Sequence, residues 1–204
     1  MDYLLHVFYG IIMAYFGLIS PGMLNMTALR TRLQIGKSQS VNFALGAASI
    51  VFVQAAIALF FADYFVKNPN VVDNLKMFGV LVFFILSVVF FLQSRKRVSA
   101  IKKSSKGNYF LKGMGMSSIN MLAIPFYLGV SIVLASEDKV ILEFPYILFF
   151  VFGASVGSFL LFYTYISFAK IIINRISFIV KNINIILSLL FFSLGIFTLI
   201  KLFT

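Results

Sequence analysis

Very few side chains in this apolar chain could do chemistry. Ser20, Pro21, Gly22 and Asn25 interrupt one apolar run, and Asn120, Pro125 and Tyr127 interrupt another about a hundred residues later. Gln54 stands alone in a third. An asparagine or glutamine amide donates through its nitrogen and accepts through its oxygen, so it can hold a carboxylate or an ammonium. Proline has no N–H and clashes with the carbonyl four residues earlier, so Pro21 frees the carbonyl of Gly17 and Pro125 that of Met121. Ser20 before Pro21 reads as an N-cap followed by a first helical residue. The helix beginning there would turn a partial positive charge toward an anion, with Asn25 one turn on along the same face. Together these groups predict a binding site for a small zwitterion, formed where two helices are broken.

Other chemistries find little support. The chain has no cysteine and one histidine, His6, which leaves no disulfide framework, thiolate site or histidine cluster. Serine hydrolysis needs a partnered base, and His6 stands alone near the start. No phosphate-binding G-x-x-x-x-G-K-[ST] loop is present. The reading is of a non-enzyme without a cofactor or bound metal. Hard cations want carboxylates and soft ones thiolates, so efflux of a metal cation is the weaker transport alternative. The spans hold no deep acid or base, and the candidate proton carriers are Asp63 and His6, each at the outer end of its span.

The elements that position these residues are long and apolar. The chain is 61% hydrophobic and 11% charged, with a mean hydropathy of +1.03, well above a soluble domain. A bilayer core needs about 20 apolar residues. Six such spans are predicted, at 4–29, 41–62, 76–93, 113–135, 146–168 and 182–203. The first is too long for a signal peptide and lacks a basic leader. The predicted fold is an all-α integral membrane protein of six helices, with the first and fourth broken.

Charge sets the topology. Arg30, Arg32 and Lys37 follow span one, a basic run from Arg95 to Lys112 follows span three, and Lys170, Arg175 and Lys181 follow span five. No acid lies in those loops; all six acids are elsewhere. The positive-inside rule makes these loops cytoplasmic and both termini external, as in a bacterial inner-membrane protein. It also explains the net charge of +11 without nucleic acid, because the 94–112 loop faces anionic headgroups. Asn25 lies five residues from Arg30 and Asn120 eight from Lys112, which puts both roughly 8–12 Å inside the cytoplasmic boundary at about 1.5 Å per residue.

The halves repeat. Phe43, Gly46 and Ser49 open span two as Phe150, Gly153 and Ser155 open span five, small residues whose default role is close helix packing. Three spans per half turn the second half upside down, an inverted repeat within one membrane domain: about 1–94, the basic loop, then 113–204. Paired breaks in such repeats are the best sequence pointer to a transport site. The expected partners are a small solute, the lipid bilayer and a second copy of the chain in a homodimer.

The pattern resembles the lysine exporter family of bacterial amino-acid effluxers over nearly the whole chain. The resemblance rests on Ser20-Pro21-Gly22-x-x-Asn25, on Arg30-Thr31-Arg32-x-x-x-Gly36, on Ala44-Leu45-Gly46, and on Gly113 with Asn120. Four departures stand out. Met23 replaces the family's second proline, and Asn120-Met121-Leu122 stands where the family reads Asn-Pro-Lys, with the proline displaced to Pro125. Val51 takes the place of a common aspartate, and Gln54 lies near a frequent histidine. The resemblance implies the fold, and amino-acid export driven by the proton-motive force. A scaffold or accessory subunit without flux of its own is the alternative from another class.

Overall fold

The computed structural model describes residues 2–95, 107–120 and 122–203. Lys96, Arg97, Lys102, Lys103, Lys106 and Met121 lie outside the described residues, and with them most of the basic loop and the carbonyl opposite Pro125. Among the described residues the secondary structure is helical throughout. The helices are α1 (Asp2–Gly17), α2 (Met23–Gln34), α3 (Lys37–Lys67), α4 (Pro69–Arg95), α5 (Tyr109–Ile119), α6 (Ala123–Ser136), α7 (Tyr146–Ser167), α8 (Ala169–Asn174) and α9 (Ile176–Phe203).

Two of these, α3 and α7, are long and apolar enough to cross a bilayer, and α5 with α6 makes a third if the bent pair is one span. Shorter apolar stretches run from Phe83 to Leu92 and from Asn182 to Phe197. The exposed face of α3 is apolar as well: Leu45, Val53 and Phe60 are 45%, 49% and 52% exposed. A helix apolar all round belongs in lipid.

The chain divides into two compact units, Met1–Asp63 with Ala100–Asn174, and Tyr64–Ser99 with Arg175–Thr204. The second unit pairs α4 with α9. Ser87 Oγ donates to the Ser188 carbonyl at 2.9 Å, and Phe191 stacks between Phe83 and Phe90 at 6.2 and 5.6 Å. Phe84 meets both Phe192 and Gly195, so the two helices run antiparallel.

Helix approach in lipid depends on packing rather than on hydrophobic exclusion, which is why small residues matter. In the first unit, two crossings bring backbones into direct contact. A Cβ on Gly10 would fall 2.8 Å from Ala154 N and closer still to the Phe150 oxygen, while a Cβ on Gly153 would meet the carbonyl of Val7. Gly157 meets Ile11, one turn on in both helices, so α1 and α7 are parallel. The same design joins α3 and α5. A Cβ on Gly113 would fall 2.9 Å from Ala47 N and closer to the Phe43 oxygen, and a Cβ on Gly46 would meet the carbonyl of Phe110. Ser155 Oγ on α7 reaches the Ala48 carbonyl of α3 at 3.0 Å, whereas Ser49 Oγ bonds within its own helix to Gly46.

Two apolar clusters fill the first unit. One holds Ala14 of α1, Val51 to Ala62 of α3, Ala123 and Tyr127 of α6, and Phe150 of α7. The other holds Leu24 and Ala28 of α2, Phe43 to Ala47 of α3, Tyr109 of α5, and Phe162 and Ile166 of α7. Along α1–α2 and along α5–α6, the chain passes from one cluster to the other at its break.

Candidate polar site between the broken helices

The first break does not begin a helix at Ser20 as the sequence predicts. α1 ends at Gly17, and α2 starts at Met23 with Gly22 as N-cap, its backbone extended at φ −72° and ψ −176°. Gly22 N instead turns back to the Ser20 carbonyl at 2.6 Å. Pro21 therefore lies in the stretch that connects the two helices, and Gly22, the N-cap of α2, has no side chain with which to cap it.

Such a break exposes carbonyls that must be satisfied. Asn25 Nδ2 donates to the carbonyls of Leu18 at 2.8 Å and Ser20 at 2.6 Å. Tyr165 of α7 donates its hydroxyl to the carbonyl between them, Ile19, at 2.7 Å. The partners of Asn25 can only accept, so the nitrogen faces them and Oδ1 points away, buried and without a partner. The amide expected to greet a carboxylate has spent its donors on its own backbone.

The second break is held in the same way from α3. α5 stops with Asn120 as C-cap, and α6 resumes at Ala123, so Pro125 falls in the first turn, where its missing N–H costs nothing. Gln54 Nε2 donates to the carbonyls of Ser117 at 3.0 Å and Asn120 at 3.1 Å. Again both partners are acceptors, which leaves Gln54 Oε1 buried and unpartnered beside Ser117 Oγ, also unpartnered. Asn120 contributes its backbone carbonyl to this arrangement, and its residue is half-buried.

The two breaks meet at Gly17, against which the Phe126 ring packs so closely that a Cβ has no room. Next to Phe126, Tyr127 is fully buried in the first cluster, and its hydroxyl has no partner. Among the described residues the unpartnered buried atoms at the breaks are thus two amide oxygens and two hydroxyls. All four can accept a hydrogen bond, the two hydroxyls can also donate one, and none carries a formal charge. Such a lining suits a ligand that brings N–H or O–H donors.

A model of the LysE type translocator family matches residues 15–202. The chain belongs to the LysE type translocator family. The match takes in both breaks, Gln54 and Tyr165. No curated protein and no solved structure matches this translocator.

The other sequence candidates fall elsewhere. Asp63 closes the first unit near the end of α3, far along that helix from Gln54. His6 lies near the start of α1, engaged with the segment that precedes α7. Gly46, Gly153 and Ser155 lie at the helix crossings described above, whereas Ser49 bonds within its own helix. Tyr165 and Ser117 are the members that sequence reasoning missed. Tyr165 carries a signal in retrospect: it lies three turns past Ser155, on the stretch of α7 that the parallel crossing sets beside the first break.

Proposed function

We propose that this LysE type translocator is a secondary transporter that exports amino acids or closely related small zwitterions across the bacterial inner membrane. One observation carries the reading: two broken helices meet in the first unit, and the side chains that satisfy their carbonyls leave amide oxygens buried and unpartnered. Burying such atoms without a partner costs about 1–3 kcal/mol each, a cost that a bound ammonium group can offset. The N-terminus of α2, with its partial positive charge, favours the carboxylate of the same solute.

The architecture we infer is six spans in two inverted three-helix repeats, with both termini outside. The matched crossings support it. Gly10 on Phe150 and Ala154 has its counterpart in Gly113 on Phe43 and Ala47, and Gly153 on Val7 has its counterpart in Gly46 on Phe110. Ser155 with Ala48 falls where a two-fold axis would relate α3 to α7, since each is the other's counterpart in this scheme. The helix directions agree: α1 with α7 is parallel, α3 with α5 is parallel because Gly46 meets Phe110 and Gln54, two turns on, meets Ser117, and α4 with α9 is antiparallel.

Counterflow in proteoliposomes tests the function. Exchange of one class of amino acid, reduced by Gln54→Met and Asn25→Leu, supports the reading. Well-folded protein that exchanges no amino acid, with or without a pH gradient, overturns it and favours a scaffold without flux.

A further inference from the structure

We propose that residues 139–145, between α6 and α7, form a gate over the first apolar cluster, latched by the neutral ring of His6 and released when that ring is protonated. The latch is defined by two contacts. Ile141 N–H donates to His6 Nε2 at 2.8 Å, so this nitrogen carries no proton. Nδ1 lies 2.6 Å from the Asp2 carbonyl, which can only accept, so the proton sits on Nδ1. One tautomer of the neutral ring satisfies both partners. A second proton on Nε2 removes the acceptor and sets one N–H against another. It also places a cation on a residue that is 2% exposed.

What the latch holds is apolar. On either side of exposed Ile141, Val140 and Leu142 are 4% and 6% exposed and belong to the cluster with Ala14, Tyr127 and Ile147. Backbone bonds anchor the ends of the segment, Lys139 N to the Leu134 carbonyl and Ile147 N to that of Glu143. Its middle is tied to α1 through His6. Freed there, the segment can lift both plugs while its ends stay in place.

The surrounding groups are consistent with a site that protons reach. Tyr146 at the start of α7 has its ring 5.0 Å from His6 and stacks on Tyr3 of α1 at 4.8 Å. Asp2 on α1 and Glu143 on the segment are exposed carboxylates within the two stretches that the latch joins. Glu137, Asp138 and Lys139 are exposed. On the transport reading given above, on which the role but not the latch rests, this end faces outside, and protons there open the exit.

The natural chain has no cysteine, so a single one reports cleanly. Leu142→Cys is alkylated in detergent at pH about 5 and about 8. Each rate is divided by that of exposed Lys139→Cys, which cancels the thiol's own ionisation. The relative rate rises about tenfold at acid pH, the scale of one lost hydrogen bond. His6→Gln, which keeps a donor and an acceptor but does not titrate, stays slow at both pH values, and His6→Phe is fast at both. Val140→Cys repeats the test if Leu142→Cys does not fold. A relative rate that ignores pH, or an acid response that survives in His6→Gln, overturns the latch. Flux plays no part in this assay. Active counterflow with flat labelling removes the latch alone, and acid-released labelling without counterflow removes the transport function alone.

Discussion

Gln54→Met removes the two donors that hold the second break while nearly preserving side-chain volume, so cavity effects stay small. The wild-type amide satisfies the carbonyls of Ser117 and Asn120 at 3.0 and 3.1 Å. Interhelical hydrogen bonds in membrane proteins are each worth about 0.6 to 1.7 kcal/mol. Two of them give an expected loss of about 2 kcal/mol, or roughly thirtyfold in the folding equilibrium. The variant also removes the unpartnered Oε1, which returns part of a desolvation penalty and trims the loss rather than reversing it. Unfolding by denaturing detergent in mixed micelles measures the difference, with exposed Gln39→Met as a control expected to change little. Equal stability of Gln54→Met and wild type would refute the claim that this amide holds the break.

Other changes test the remaining contacts. Tyr165→Phe loses the bond to the Ile19 carbonyl and costs about 1 kcal/mol in the same unfolding assay. Asn25→Asp replaces a double donor with a group whose ionised form faces two carbonyls. It lowers stability more than Asn25→Leu at neutral pH, and acidification narrows the gap as the carboxyl regains a donor. Gly113→Ala drives a methyl into the backbone of α3 and costs about 1–3 kcal/mol, whereas Gly115→Ala on the same helix meets nothing within 4 Å and gains about 0.5–1 kcal/mol from helix propensity. Paired melting curves of these two variants separate backbone contact from propensity.

Both breaks were legible because proline leaves a mark that apolar composition cannot hide. Pro21 and Pro125 each lie two residues from the first residue of the helix on one side of a break, Met23 for α2 and Ala123 for α6. Gln54 was legible too, as a polar group where only apolar ones are expected. The orientation of Asn25 was not, because a short amide can fold back on its own chain, and sequence gives no measure of that competition. The expected cap at Ser20 failed for a related reason: a tight turn at Pro21 and the extended Gly22 move the helix start two residues on. Tyr165 looked like one more aromatic in a span rich in them, and its partner is a carbonyl 146 positions away. His6 reads as an interfacial residue until Ile141 is seen to donate to it, a contact 135 positions apart.

The glycine crossings also bear on how the molecule can deform. Where one main chain rests on another, no rotamer stands between them to yield. Sliding α1 along α7, or α3 along α5, would carry a neighbouring Cβ into a carbonyl within a fraction of a turn. Each pair therefore behaves as a splint, stiff along its length and resistant to shear. Compliance is left to the stretch that lacks a continuous backbone ladder, residues 18–22, and to the end of α5 at Asn120. Their geometry is held by single side chains, Asn25, Tyr165 and Gln54, each of which can let go without unfolding a helix.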